Sequence, residues 1–125
     1  MKTSLATLAL VVCSAASVAS AQGLPAFPPD APVPTAADIT GFIKDKTFVG
    51  TRQDGLTAQF NYRSDGKFDV IFPQAKEFGT WRTEDGSLCV DDPVNGKTCN
   101  QVRIVGENLL YRRNKNGEVL TLKAQ

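Results

Sequence analysis

Histidine is absent from the 125 residues of this chain. That removes the commonest general base and the commonest zinc ligand together. Nor is there a glycine-rich phosphate loop, a metal motif or a catalytic constellation. No cofactor or metal is therefore expected, and an enzyme here would lack the usual acid–base parts. Charge of one sign is not in excess either, since 14 basic residues stand interspersed among 13 acidic ones. Such a balance gives no long-range attraction to nucleic acid or to an anionic membrane. No apolar run reaches the roughly 20 residues that a helix needs to span a bilayer. The length suits one domain.

The first residues read as a targeting segment. Lys2 is a short positive start, Leu5 to Val12 is an apolar run, and Ala19-Ser20-Ala21 is a small-residue cleavage site. Residues 1–21 are thus expected to be a signal peptide removed after Ala21, which implies a periplasmic or secreted protein. Cys13 follows Leu10-Val11-Val12 in faint imitation of a lipoprotein box, but Val12 is not the small residue such a site requires. Cleavage at Ala21 removes Cys13 and Lys2, leaving a chain neutral by formal count with two cysteines, Cys89 and Cys99. In an oxidising compartment such a pair is normally bridged.

Residues 22–35 hold five of the seven prolines. That composition favours extended polyproline II and predicts a semi-rigid spacer, or else an arm that inserts into a partner's groove. Thr35 followed by Asp38 reads as an N-cap with an acidic first turn, opening a helix from Ala36 to Ile43. Ile39, Phe42 and Ile43 share one side of it, which suggests a plug over one end of the fold.

From Thr47 onward the signal repeats. Asp54-Gly55, Asp65-Gly66, Asp85-Gly86, Asn95-Gly96 and Asn116-Gly117 are hairpin dipeptides, and Gly106-Glu107-Asn108 makes a sixth turn. Between them lie eight predicted strands, near 47–52, 56–63, 67–72, 78–83, 87–91, 97–105, 109–113 and 118–123. The reading is all-β: an eight-stranded antiparallel meander closed as a small barrel, a single domain over 36–125. An outer-membrane barrel is excluded by strand length and by aromatics placed where an inner core needs them.

Alternation assigns the faces. Ala58, Phe60 and Tyr62 share a side, as do Phe68, Val70 and Phe72. A three-residue loop, Ser64-Asp65-Gly66, sets Tyr62 against Phe68 and keeps both apolar faces together, whereas a two-residue turn would mismatch them. Leu109 and Tyr111 face inward with Leu120 and Leu122, and Arg112 and Lys123 point out. A loop centred on Val94 sets Cys89 opposite Cys99, so the pair is expected to staple a hairpin rather than cycle redox chemistry. Trp81 faces Val90 and the interior if the Asp85-Gly86 turn has two residues. With three it faces Cys89 and covers the disulfide. The inward placement is preferred.

The carboxylates Glu84-Asp85 and Asp91-Asp92 fall in turns, where Asp caps backbone groups. The candidate ligand-binding residues are Tyr62, Trp81, Tyr111 and Arg113, which bring aromatic area and one cation toward a barrel opening. Arg113 in particular is placed to meet an anion beside Tyr62 or Tyr111.

Gly79-Thr80-Trp81, Gly86-Ser87-Leu88-Cys89 and Cys99, after the Asp65-Gly66-Lys67-Phe68 hairpin, resemble a pattern in small exported alphaproteobacterial proteins of unknown function. The resemblance runs over about residues 36–122 and implies a β fold with a disulfide, without an activity. A fainter likeness is to periplasmic inhibitors of secreted metalloproteases, which are eight-stranded barrels with one disulfide and an inserting N-terminal arm. The expected function is a non-catalytic periplasmic binding or envelope-associated module, its partner a small ligand or an envelope protein. The alternative is an inhibitor of a hydrolase acting through the arm.

Overall fold

A computed structural model describes residues 26–125. The expected signal peptide, its cleavage after Ala21, Cys13 and residues 22–25 lie outside the described residues. Eight strands follow one helix: α1 (Ala36–Ile43), β1 (Lys46–Thr51), β2 (Thr57–Tyr62), β3 (Lys67–Ile71), β4 (Lys76–Glu84), β5 (Ser87–Asp92), β6 (Gly96–Val105), β7 (Asn108–Arg112) and β8 (Val119–Ala124). Each strand pairs antiparallel with the next, and β8 returns to β1 to close the barrel. Strand ends differ from the expected ones by one or two residues, most at β4, which begins at Lys76.

The hairpin registers follow the buried faces. Tyr62 pairs with Phe68 and Phe60 with Val70, and Gly66 takes the left-handed φ of 81° that ends the three-residue loop. The Asp85-Gly86 turn has two residues, so Trp81 stands opposite Val90. Cys89 stands opposite Cys99, and Tyr111 opposite Leu120. The interior is filled by Phe48, Ala58, Phe60, Tyr62, Phe68, Val70, Leu88, Val102, Leu109, Leu120 and Leu122, all buried.

The two barrel ends differ. One carries the turns 63–66, 85–86 and 106–107, and α1 lies across it. Thr35 and Asp38 form a capping box, the Thr35 hydroxyl accepting from the Asp38 N–H and the Asp38 carboxylate from the Thr35 N–H. The helix is then pinned to the barrel at three points. The Ala36 N–H donates to Asp85, Thr40 and Thr83 share a hydroxyl hydrogen bond at 2.8 Å, and the Gly86 N–H donates to the Pro34 carbonyl. Ile39 and Ile43 are fully buried beneath it, and Phe42 stacks on Phe48 with ring centroids 5.8 Å apart. The apolar side of the helix thus supplies the core that strands alone leave open at that end.

Upstream of the helix, Pro34 is buried, and Phe27 sits between the guanidinium groups of Arg103 and Arg112, at 4.8 and 4.3 Å. Phe27 therefore lies on the outer wall at β6 and β7, and Val33 and Pro34 lie at the β4–β5 turn beside Gly86.

The Cys89–Cys99 disulfide ties β5 to β6 on the outer face, with Cys89 buried and Cys99 exposed. Its loop has a sequence separation of 10, for which loop-closure entropy predicts roughly 2–3 kcal/mol of stabilisation. The double variant Cys89→Ser/Cys99→Ser should lose that amount in denaturant melts while its far-ultraviolet spectrum stays that of a β protein. A loss near zero would show that the ladder holds the hairpin unaided.

Candidate functional site

Among the described residues no helix covers the other end of the barrel. There, at the end that carries the loops 52–56, 72–75, 93–95 and 113–118, lies a cavity of about 100 Å³ that Arg52, Phe72 and Arg113 line from three of those loops. Period-two alternation on β2 and β3 sends Phe60, Tyr62, Phe68 and Val70 to its walls, and Val90, Tyr111 and Leu120 complete the apolar lining. Tyr62 ends β2 at the helix-covered side, so it forms the floor. Arg52, Phe72, Glu77, Asp92 and Arg113 ring the mouth.

The structure brings together three of the four residues expected to bind a ligand: Tyr62, Tyr111 and Arg113. Trp81 does not line the cavity. It lies just before the start of β3, beside the 63–66 turn, where its indole packs edge-on behind Tyr62 with centroids 6.1 Å apart, and its Nε1–H donates to the Arg63 carbonyl at 2.9 Å. Its indole N–H is used by the backbone, and its half-buried ring lines a separate cleft with Cys89, Val90 and Thr98 rather than this cavity.

The two phenols sit in low dielectric. Burial, and then the neighbouring Tyr111, push the Tyr62 hydroxyl well above its ordinary range. Burial likewise raises Tyr111, aided by the negative charges of Glu77 and Asp92 and opposed by Arg113. Both are protonated at neutral pH, each able to donate one hydrogen bond and accept others. No buried side-chain polar atom among the described residues lacks a partner, so neither phenol oxygen is sealed away from the cavity.

Arg113 differs from the free anion-binding cation expected of it. Its Nη1 donates to the carboxylate of Glu118 at 3.2 Å, and the Glu118 residue is only 4% exposed. Glu118 also accepts from the Gln53 N–H at 2.6 Å and from Asn116. Burial raises its pKa, but these hydrogen bonds and the Arg113 charge outweigh that, so it ends below the ordinary 4.5. On the outer wall, burial likewise raises Asp69, while Asn61, Arg63 and Lys76 lower it further, to below 3.8 overall. A depressed folded value means stability that is complete above the ordinary carboxylate range and lost as pH falls through the lower folded one. Denaturant melts should therefore weaken below about pH 4.5, and Glu118→Gln should flatten part of that acid limb. An unchanged limb would show that Glu118 is not held in its ionised form.

Sequence reasoning missed Arg52 and Glu77, which take their places from a loop and a strand end, whereas Phe72 was put by alternation on the same side as Phe68 and Val70 and does line the cavity with them. Asp92 was visible only as a turn residue, and it does cap its loop, accepting from the Val94 and Asn95 N–H groups. Glu84 lies within 4.8 Å of both disulfide sulfurs, but a bridged pair presents no thiolate to a metal. The chain matches no family model, no curated protein and no solved structure.

Proposed function

We propose that this protein is a non-catalytic binding module of the periplasm, holding a small ligand at the uncovered mouth of its barrel. The cavity carries the reading. It joins an aromatic floor and wall to a few convergent polar groups, the usual make-up of a small-molecule site. The two ends are also treated unequally, since one is filled by Ile39, Phe42 and Ile43 while the mouth is left to loops. Nothing in the lining forms a nucleophile–base pair, so binding accounts for the arrangement better than turnover does. The Ala19-Ser20-Ala21 site and the bridged cysteines support the compartment. An inhibitory arm over 22–35 would need its described part to leave the barrel, whereas Phe27 and Pro34 hold that part against it.

The test is an NMR titration of the exported chain with a panel of small solutes, repeated after deletion of residues 22–33. Shifts should gather at Phe72, Glu77, Asp92, Tyr111 and Arg113 and survive the deletion. Shifts confined to the arm, or binding abolished by the deletion, would overturn the mouth as the site.

A further inference from the structure

We infer that the mouth selects a small organic cation, an alkylammonium group carrying at least one N–H. This rests on the mouth being a ligand site, and it names the ligand's chemistry. The charge around the cavity decides its sign. Both lining arginines are already neutralised, Arg52 by Asp54 and Arg113 by Glu118. Of the lining acids, Glu77 and Asp92 pair with no cation among the described residues. An anion would enter against these two carboxylates. Asp92 is partly compensated by the Val94 and Asn95 N–H groups, and Lys115 lines the adjoining cleft with both, which leaves the exposed Glu77 as the main attraction. A cation would meet that attraction in a partly desolvated site, where charge interactions are stronger than in water.

The walls agree with that sign. Phe60, Tyr62, Phe68, Phe72 and Tyr111 line the cavity, and aromatic faces attract an ammonium through the ring quadrupole. A bare divalent metal fits poorly, because such ions demand a shell of oxygen ligands that these rings cannot supply. At about 100 Å³ the space is several times the ~10–15 Å³ that one water needs, and far below the volume of a drug-sized pocket. It suits a head group of a few non-hydrogen atoms.

Tyr62 supplies the independent observation. It is 3% exposed, lines the cavity, and among the described residues gives its hydroxyl no protein partner. Because no buried side-chain polar atom among the described residues lacks a partner, this hydroxyl is not sealed off but opens onto the cavity, where water or a ligand takes its hydrogen bond. An ammonium N–H donated to the phenol oxygen fills that place, with Tyr111 beside it to accept a second.

The experiment compares three probes that share one apolar body and differ in charge: tert-butylammonium, tert-butanol and pivalate. Each is titrated into the isotope-labelled exported chain and followed at the Tyr62, Phe72 and Tyr111 resonances. Tert-butylammonium should bind about tenfold tighter than tert-butanol, with pivalate the weakest. Glu77→Gln, an exposed position with no packing to lose, should shrink the preference to about threefold. Should tert-butanol or pivalate bind at the cavity as tightly as the ammonium, the cation preference falls and the mouth as a binding site stands. If none of the three moves the cavity resonances, both fall.

Discussion

Gly79→Ala is expected to destabilise the protein by about 3 kcal/mol or more. The cause is a close approach of backbone to backbone. A Cβ built on Gly79 would lie 2.0 Å from the carbonyl oxygen of Asp91 and 2.9 Å from its carbon. Flexible side chains can move aside; these atoms belong to β5, which is held by ladders on both sides and by the disulfide. Gly79 is the point at which β4 passes from pairing with β3 to pairing with β5, opposite Phe68 on one side and next to the Thr80–Asp91 pair on the other. Any side chain there must push β4 and β5 apart and, with them, the Glu77 and Asp92 corner of the mouth.

The same substitution in the helix provides the control. Gly41 is exposed and nothing lies within 4 Å of its added Cβ, so Gly41→Ala should stabilise the protein by roughly 0.5–1 kcal/mol through helix propensity. Paired urea melts of the two variants give opposite signs if the close approach is real. A Gly79→Ala protein as stable as its parent would show that β4 and β5 are further apart than described.

Gly79 also shows where a sequence stops being informative. Strand number, hairpin registers and the inward faces were legible because turn dipeptides and period-two alternation are local, and a one-residue slip exposes a whole apolar face. The register at Cys89 and Cys99 was legible because only one loop length sets the two opposite each other. How tightly one strand coils over its neighbour has no such local signature, so Gly79 looked like any strand glycine. The mouth was half legible for the same reason. Tyr62, Phe72 and Tyr111 lie on alternating faces and could be placed, while Arg52 and Glu77 depend on how the loops beside them fold back. Arg113 was placed correctly at the rim, but its pairing with Glu118 spans the 113–118 loop, whose path no periodicity fixes. Phe27 was hidden in a proline-rich segment, and only the wall it meets reveals its two arginines.

Trp81→Ala should cost about 3 kcal/mol, the lower end for a large core aromatic, since the ring is half-buried rather than fully enclosed. For a domain near 100 residues that lowers the melting temperature by roughly 12 °C or more. Two contributions are separable. Trp81→Phe keeps a ring against Tyr62 but leaves the Arg63 carbonyl without its indole donor, a loss of about 1 kcal/mol. The remainder belongs to packing, because the indole closes the ring cluster in which Tyr62 also meets Phe48 and Phe68 at 6.3 and 6.4 Å. Truncation leaves space behind Tyr62, so the cavity floor loses its support even though Trp81 does not touch the cavity. Ligand affinity at the mouth should then fall in Trp81→Ala and largely recover in Trp81→Phe, which a residue contacting the ligand through its indole N–H would not allow. A Trp81→Ala protein that melts within 1 °C of its parent would mean that the ring faces solvent and that the inward face assigned to β4 is wrong.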